Sequence, residues 1–397
     1  MQDKNINRVS GITTLDKDPW EDIRNSVKSL CDDFPGEYWR KLDSNRSYPE
    51  EFVEALTKAG YLACLIPEEY GGSGLPLKAA CAILEEIQRS GGNGAACHAQ
   101  MYIMGALLRH GSEEQKNKYL PKIASGELRL QAFGVTEPDA GTDTLSIRTK
   151  AEKSNNCYII NGQKVWTSRA EYSDLMLLLA RTSNDKNNKR TEGLSLFILD
   201  MQKAKDKGLT IKPIRTMINH ATTEIFFDDL EIPLDSLIGD EGKGFKYILD
   251  GMNAERILIA SECIGDSKFF LDKMTDYATS REVFGRPIGQ NQGIQFPISR
   301  AYAETEAAAL MVERAAELFD KNIPCGTEAN ISKLLASEAS WKSAEAAIQT
   351  FGGYGFAEDY DIERKYREAR LYQIAPVSTN LILAYIAQNV LGLKRSY

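Results

Sequence analysis

Two stretches of the chain carry residue types suited to chemistry. The first is Gln131–Asp143, QAFGVTEPDAGTD. A short apolar run (Ala132, Phe133, Gly134, Val135) leads into a polar loop with Thr136, Pro138, Gly141 and Thr142. Gly141 admits close backbone approach, and the threonine hydroxyls can bond the polar edge of a flat ligand. Read alone, the segment suits an ordinary Pro/Gly turn equally well. The second stretch surrounds Glu255. Ile248, Met252, Glu255, Ile259 and Cys263 recur at spacings of 4, 3, 4 and 4, so they share one helical face. The neighbours one turn away are Gly251, Met252, Leu258 and Ile259; none is a cation, so no local helix salt bridge accounts for the acid. Burial on such a face raises a carboxyl pKa from about 4.3 toward neutrality, where it suits a general base. The competing reading is a glutamate paired with a distant arginine in the core.

The elements that must position these residues fall into three blocks, and 397 residues are ample for two or three domains. Residues 1–128 read as an α-helical N-terminal domain after a loose polar start (1–18). Helical stretches include one that opens at Pro49 and stops at Gly60, Leu77–Arg89 and about Ala95–His110, and Ser112–Gln115 is a candidate capping box. Residues 129–240 read as a β domain. Tyr158–Thr167 is read as a strand, an Asn-Gly turn and a second strand, and Leu175–Ala180, Leu194–Leu199 and Thr223–Ile232 as further strands. Thr182–Glu192 between them is read as a charged surface loop. Residues 241–397 read as a helical bundle, with helices over about Phe245–Thr279, Ile294–Leu318, Glu328–Thr350 and Thr379–Leu391.

Composition excludes several functions. A net charge of −8 argues against nucleic-acid binding. No apolar run reaches the length of a membrane span. The N-terminal MQDKNINRVSG fits neither a secretory signal nor a transit peptide, so a cytoplasmic location is expected. The scattered cysteines form no CxxC pair and read as small core residues, and His98, His110 and His220 lack metal-site spacing, so no metal is expected.

Four motifs then stand in one order: FGVTEPDAGTD, GQKVWTS (Gly162–Ser168), REVFGRPIGQNQ (Arg281–Gln292) and QTFGGYGF (Gln349–Phe356). In these the chain resembles the acyl-CoA dehydrogenases from about Trp20 to Leu391. The resemblance implies a multi-domain α+β fold: an α-helical N-terminal domain, a β-barrel-like middle domain and a C-terminal four-helix bundle. It also implies FAD as cofactor and a homotetramer built as a dimer of dimers. By position, Phe133, Val135, Thr136, Gly141 and Thr142 are expected to line the flavin and the thioester, with Thr142 also touching substrate. Trp166, Thr167 and Ser168 are expected on the flavin's second side; Ser168 replaces a common threonine. Arg281, Phe284 and Gln292 are expected at the pyrophosphate and adenosine end. Gln349, Gly352 and Gly353 are expected to grip FAD from a neighbouring subunit, and Ser378 and Asn380 also to contact it.

The family's reaction removes an α-proton from an acyl thioester and passes the β-hydrogen to the flavin as hydride. Many members carry the base in a run like YEGTSQ. Here that run is Tyr372–Asn380, YQIAPVSTN, with Pro376 in the glutamate's place and no nearby acid. Proline also lacks the main-chain N–H that bonds the thioester oxygen in the family; a shift of one residue would restore that donor at Val377. Relatives such as isovaleryl-CoA and long-chain acyl-CoA dehydrogenases carry the base on a C-terminal-domain helix, at the place of Asn253-Ala254-Glu255-Arg256. By this resemblance Glu255 is the base, and Asn253 and Arg256 contact the CoA portion of the substrate. His98 and Gln100 sit on the helix that lines the acyl pocket, where core packing is an equal reading. The expected function is dehydrogenation of an acyl-CoA to a trans-2-enoyl-CoA, with an electron-transfer flavoprotein as acceptor. The alternatives are an oxidase or flavin-dependent monooxygenase of the same fold, and a non-catalytic binding or assembly protein.

Overall fold

The computed structural model describes residues 18–183 and 190–395. Residues 1–17 of the stretch read as loose, and residues 184–189 of the charged loop, lie outside the described residues. Helices α1 (Glu21–Asp32), α2 (Gly36–Asn45), α3 (Glu50–Lys58), α4 (Leu77–Arg89), α5 (His98–His110) and α6 (Glu113–Ala124) come first. Strands β1 (Leu130–Gly134), β2 (Lys150–Lys153), β3 (Cys157–Ser168), β4 (Leu175–Arg181) and β5 (Leu194–Asp200) follow. A short helix α7 (Met201–Ala204) precedes β6 (Leu209–Pro213), β7 (Thr222–Pro233) and β8 (Leu237–Ile238). The chain ends with helices α8 (Gly244–Ser280), α9 (Gln292–Asp320), α10 (Gly326–Phe351), α11 (Ile362–Leu371) and α12 (Thr379–Tyr385). A hairpin of β9 (Glu282–Val283) and β10 (Arg286–Pro287) separates α8 from α9. The architecture is thus a helical N-terminal region, a middle sheet and a helical C-terminal region.

Packing groups these elements into two compact units. One comprises Ser44–Pro76 and Ala95–Glu255; the other comprises the described parts of Met1–Asp43, Leu77–Gly94 and Arg256–Tyr397. The first is the sheet unit. Its strands run in the order β6-β7-β3-β2-β4-β5-β8, with β1 pairing parallel to β4. Leu175–Ala180 of β4 are all buried, as the continuous apolar run requires. Helix α6 starts with the expected capping box: Gln115 N–H donates to Ser112 Oγ at 3.2 Å, and Ser112 N–H donates to Gln115 Oε1 at 3.0 Å.

One strand corrects the sequence reading. No hairpin forms at Asn161-Gly162; β3 runs unbroken through it for 12 residues. Asn161 instead exchanges two hydrogen bonds with Asp229 of β7, and the pairing register shifts between Ile160 and Gly162. A Cβ at Gly162 would lie 2.6 Å from Thr149, so glycine serves close strand contact there and not a turn.

The sheet unit holds a buried charge pair. Lys164 Nζ on β3 donates to Glu137 Oε1 at 2.8 Å and to Val135 O at 3.0 Å. Glu137 accepts further from Arg148 N–H at 2.6 Å and Thr149 N–H at 2.9 Å. Burial lowers the Lys164 ammonium to about 8, against the pull of Glu137. Burial alone would raise Glu137, but Lys164 and the N–H donors outweigh it and hold the carboxyl below its ordinary value. The pair fixes the segment after β1 against β3, and Val165 N–H adds a bond to Thr136 O at 2.9 Å.

The helical unit contains α11, for which the sequence reading assigned no element. Its side chains are mostly charged, yet Arg364, Lys365 and Glu368 are buried. Lys365 Nζ reaches Asp266 Oδ1 on α8 at 2.5 Å, Glu368 Oε2 at 2.6 Å and Gln88 Oε1 on α4 at 2.5 Å. Arg364 donates to Glu368 Oε1 at 3.0 Å and Gly91 O at 2.9 Å. Tyr372 donates to Glu262 Oε2 at 3.0 Å and accepts from Gln88 Nε2 at 2.8 Å. Burial pushes the Asp266 carboxyl up to about 7, although Lys365 opposes it.

Two outcomes follow from these buried groups. A carboxyl whose folded pKa lies above its unfolded value of 3.8 contributes stability below about pH 4, and that contribution is lost as pH rises toward about 7. The stability of the wild type relative to Asp266→Asn therefore falls across that window, measured by thermal unfolding at stepped pH; a flat difference would refute the assignment. Lys164→Met leaves Glu137 buried without its cation and costs about 3–5 kcal/mol in denaturant unfolding. A loss below about 1 kcal/mol, the worth of an exposed pair, would contradict the brace.

Candidate active site

Glu255 lies on α8 and is 5% exposed. It lines a small, partly open cavity of the sheet unit. On α8 the wall runs from Glu255 back through Met252, Gly251, Ile248 and Tyr247. Tyr102, Ile103 and Ala106 of α5 form the facing wall, and Phe133 of β1 and Leu177 of β4 close it on the sheet side. The expected stripe on α8 is present: Ile248, Ile259 and Cys263 are buried with Glu255. A carboxylate in the wall of an otherwise apolar cavity is suited to removing a weakly acidic C–H proton from a bound apolar group.

Helix α8 holds two more buried acids that the sequence reading did not separate from Glu255. Glu262 and Asp266 are both fully buried, but they belong to the polar network of the helical unit through Tyr372 and Lys365. Asn253 and Arg256 flank Glu255 on the same helix, three residues apart and part-buried.

The sheet unit brings Phe133, Val135 and Thr136 together with Trp166, Thr167 and Ser168. Val165 N–H bonds Thr136 O at 2.9 Å, so the two motifs lie side by side. Beyond Lys164 the β3–β7 register slips, and Trp166 adopts a left-handed φ of 60°. This turns its indole outward, leaving it 59% exposed. Thr167 is buried, and its Oγ1 has no hydrogen-bond partner among the described residues. Ser168 Oγ accepts from Asn219 Nδ2 at 2.8 Å. Gly141 is exposed, with no atom within 4 Å of an added Cβ, and Thr142 beside it is exposed too.

The helical unit presents the other expected contacts. Phe284 and Gly285 form the two-residue turn between β9 and β10, both with left-handed φ, and Phe284 is fully exposed. The Arg281 guanidinium lies 5.7 Å from the Tyr354 ring centre, next to Gly352 and Gly353. Gly352 has φ +59°, and neither glycine has an atom within 4 Å of an added Cβ. Gln292 opens α9, and Gln349 is exposed on the last turn of α10. Pro376 is exposed and Val377 buried, and the loop is clamped where Lys333 Nζ donates to Tyr372 O and Val377 O. Ser378 Oγ caps α12 by accepting from Leu381 N–H at 3.3 Å, and Asn380 is exposed.

These residues fit FAD. An outward indole, an orphaned buried hydroxyl and open glycines in both units are features that internal packing does not use. Arg281 supplies a fixed positive charge of the kind a pyrophosphate needs. Gln100 is structural: its Nε2 donates to Leu62 O at 3.2 Å and its Oε1 accepts from Leu130 N–H at 3.3 Å. Tyr102 and Tyr247 line the cavity but were not singled out in the sequence, nor were Lys164 and Glu137. Lys164 carried a readable signal: it shares strand parity with the buried Tyr158 and Ile160.

Comparison with known proteins identifies the family. Family models for the acyl-CoA dehydrogenase N-terminal, middle and C-terminal domains match residues 18–127, 132–230 and 242–391. The chain is 32% identical over 380 residues to the acyl-CoA dehydrogenase FadE12 of Mycobacterium bovis, covering 94% of this chain and 96% of that one. It superposes on a glutaryl-coenzyme A dehydrogenase solved with glutaryl-CoA at a TM-score of 0.89 and 29% identity, covering 97% and 98% of the two chains. A structure of PigA with FAD gives a TM-score of 0.87 at 26% identity, covering 96% and 100%. The chain belongs to the acyl-CoA dehydrogenase family, an FAD-dependent oxidoreductase family.

Proposed function

We propose that this protein dehydrogenates an acyl-CoA at its α,β bond to give a trans-2-enoyl-CoA, with Glu255 as the base. The observation that carries the reading is Glu255 in the wall of an otherwise apolar cavity, in a chain whose Tyr372–Asn380 run has no acid. Bound FAD supplies the two-electron acceptor for the β-hydrogen. Glu255 takes the α-proton, and the cavity's apolar walls keep the acyl group near it and exclude water. Phe133, Val135, Thr136, Gly141, Thr142, Trp166, Thr167 and Ser168 would hold the flavin end of the cofactor. Arg281, Phe284, Gln292, Gln349, Gly352, Gly353, Ser378 and Asn380 would hold the remainder. Thr142, Asn253 and Arg256 are assigned to the substrate, Asn253 and Arg256 at its CoA portion. The exposed Trp166 edge suits electron transfer to an electron-transfer flavoprotein. The exposed Phe284 and Phe356 suit burial against further copies of the chain in a homotetramer.

Glu255→Gln keeps the shape of the site but removes the base. Anaerobic mixing with acyl-CoA then reduces the flavin at least about 100-fold more slowly than in the wild type, while FAD stays bound. Flavin reduction at wild-type speed would move the base elsewhere. Rapid reoxidation of the substrate-reduced flavin by oxygen would favour the oxidase reading.

A further inference from the structure

A fully buried lysine stands behind the loop that carries Val135, Thr136, Gly141 and Thr142. Lys164 of β3 is 0% exposed. Its ammonium does more than pair with Glu137: it also donates to the Val135 carbonyl at 3.0 Å. The next carbonyl along the loop, Thr136 O, accepts from Val165 N–H at 2.9 Å. Glu137 then closes a tight turn with Ala140, through main-chain bonds of 3.3 and 3.0 Å. The far end of the loop is tied by Arg181 of β4, whose Nε donates to Ile147 O at 3.1 Å and whose Nη2 donates to Leu145 O at 2.7 Å. Side chains and main chain of β3 and β4 thus hold the loop by its carbonyls.

A trans peptide places its N–H opposite its C=O. Holding Val135 O against Lys164 therefore turns the Thr136 N–H away from the lysine. That N–H, and those of Gly141 and Thr142, make no hydrogen bond among the described residues. Thr136 is half-buried, and a donor left without an acceptor there is costly unless something else takes it. The loop presents unclaimed donors on the side opposite its tied carbonyls. Such donors suit the electron-rich edge of a flat heteroaromatic ring, and they bind it more strongly once it has gained electrons.

We infer that Lys164 is a positioning residue for the flavin: by holding Val135 O it aims the Thr136 N–H at the ring, and it thereby raises the reduction potential of bound FAD. This rests on the flavin-site reading of the loop. Lys164 acts through the peptide it holds. Glu137 has the separate part of balancing the buried ammonium, so Lys164→Met alone both frees Val135 O and strands an acid. Lys164→Met with Glu137→Met removes both charges and strands none, and an apolar pair of similar volume is compatible with a stable fold. Only the hold on Val135 O is then missing.

The test uses the full chain purified with FAD bound and reads two properties that need no turnover: the flavin's reduction potential, by anaerobic dye titration, and the rate of FAD release, by the rise in flavin fluorescence on dilution. In the double variant the potential should fall by at least about 30 mV, tenfold in a two-electron equilibrium, and FAD should leave at least about tenfold faster. Values equal to wild type in the double variant overturn the inference and leave Lys164 a brace of the fold. Glu137→Gln keeps an acceptor for Lys164 and leaves the Val135 bond in place. It should not lower the potential, and a fall as large as the one expected of the double variant overturns the inference even if the double variant does not fold. Thr136→Pro deletes the donor itself. If it lowers the potential while the double variant does not, the flavin-site reading stands and this inference fails. If Thr136→Pro moves neither property, the flavin-site reading fails and takes this inference with it.

Discussion

Burying a carboxylate costs several kcal/mol unless cations or N–H donors meet it, and this constraint organises the molecule. Glu137, Glu262, Asp266 and Glu368 are all buried, and each is answered locally by Lys164 and backbone N–H groups, by Tyr372, by Lys365, or by Lys365 and Arg364. Each answered acid fixes elements to one another: Glu137 the segment after β1 to β3, Asp266 the helix α8 to α11. Glu255 differs in what it faces. It borders an otherwise apolar cavity, the setting in which a carboxylate can act on a bound molecule.

Much of this was legible in the sequence, and the reasons are local. Helices α4, α8, α9 and α10 stand within a few residues of their expected positions, because apolar period and Gly/Pro punctuation agree there. Glu255 stood out because a lone acid interrupts an apolar stripe at helical spacing. The family resemblance was read from the order of four short runs. Trp166 and Phe284 both take left-handed backbone, and Gly352 does too, so three of the four runs mark places where the chain departs from regular geometry to present a group.

What was illegible depended on contacts distant in sequence. Helix α11 has too many charges to show an apolar period, since its buried face is built from Arg364, Lys365 and Glu368, whose partners lie up to 277 residues away. Asn161-Gly162 carries the strongest short hairpin signal, yet cross-strand bonds to Asp229 and close approach to Thr149 keep β3 straight through it. One cavity wall was equally hidden: Tyr247 is held in place by His110 of α5 and by the adjacent Gly239 and Asp240, two segments distant in sequence from each other.

The central claim is that Glu255 exchanges a proton with the substrate's α-carbon, a step separable from hydride removal. The direct measurement is deuterium incorporation at that carbon. The holoenzyme, with its flavin already reduced, is incubated anaerobically in D2O with a saturated acyl-CoA and followed by NMR. With no oxidant present the substrate cannot be consumed, but a working base still washes deuterium into the α-position. The account predicts enzyme-dependent exchange in the wild type and a loss of at least about 100-fold in Glu255→Gln. Exchange at the wild-type rate in that variant would show that another group holds the proton.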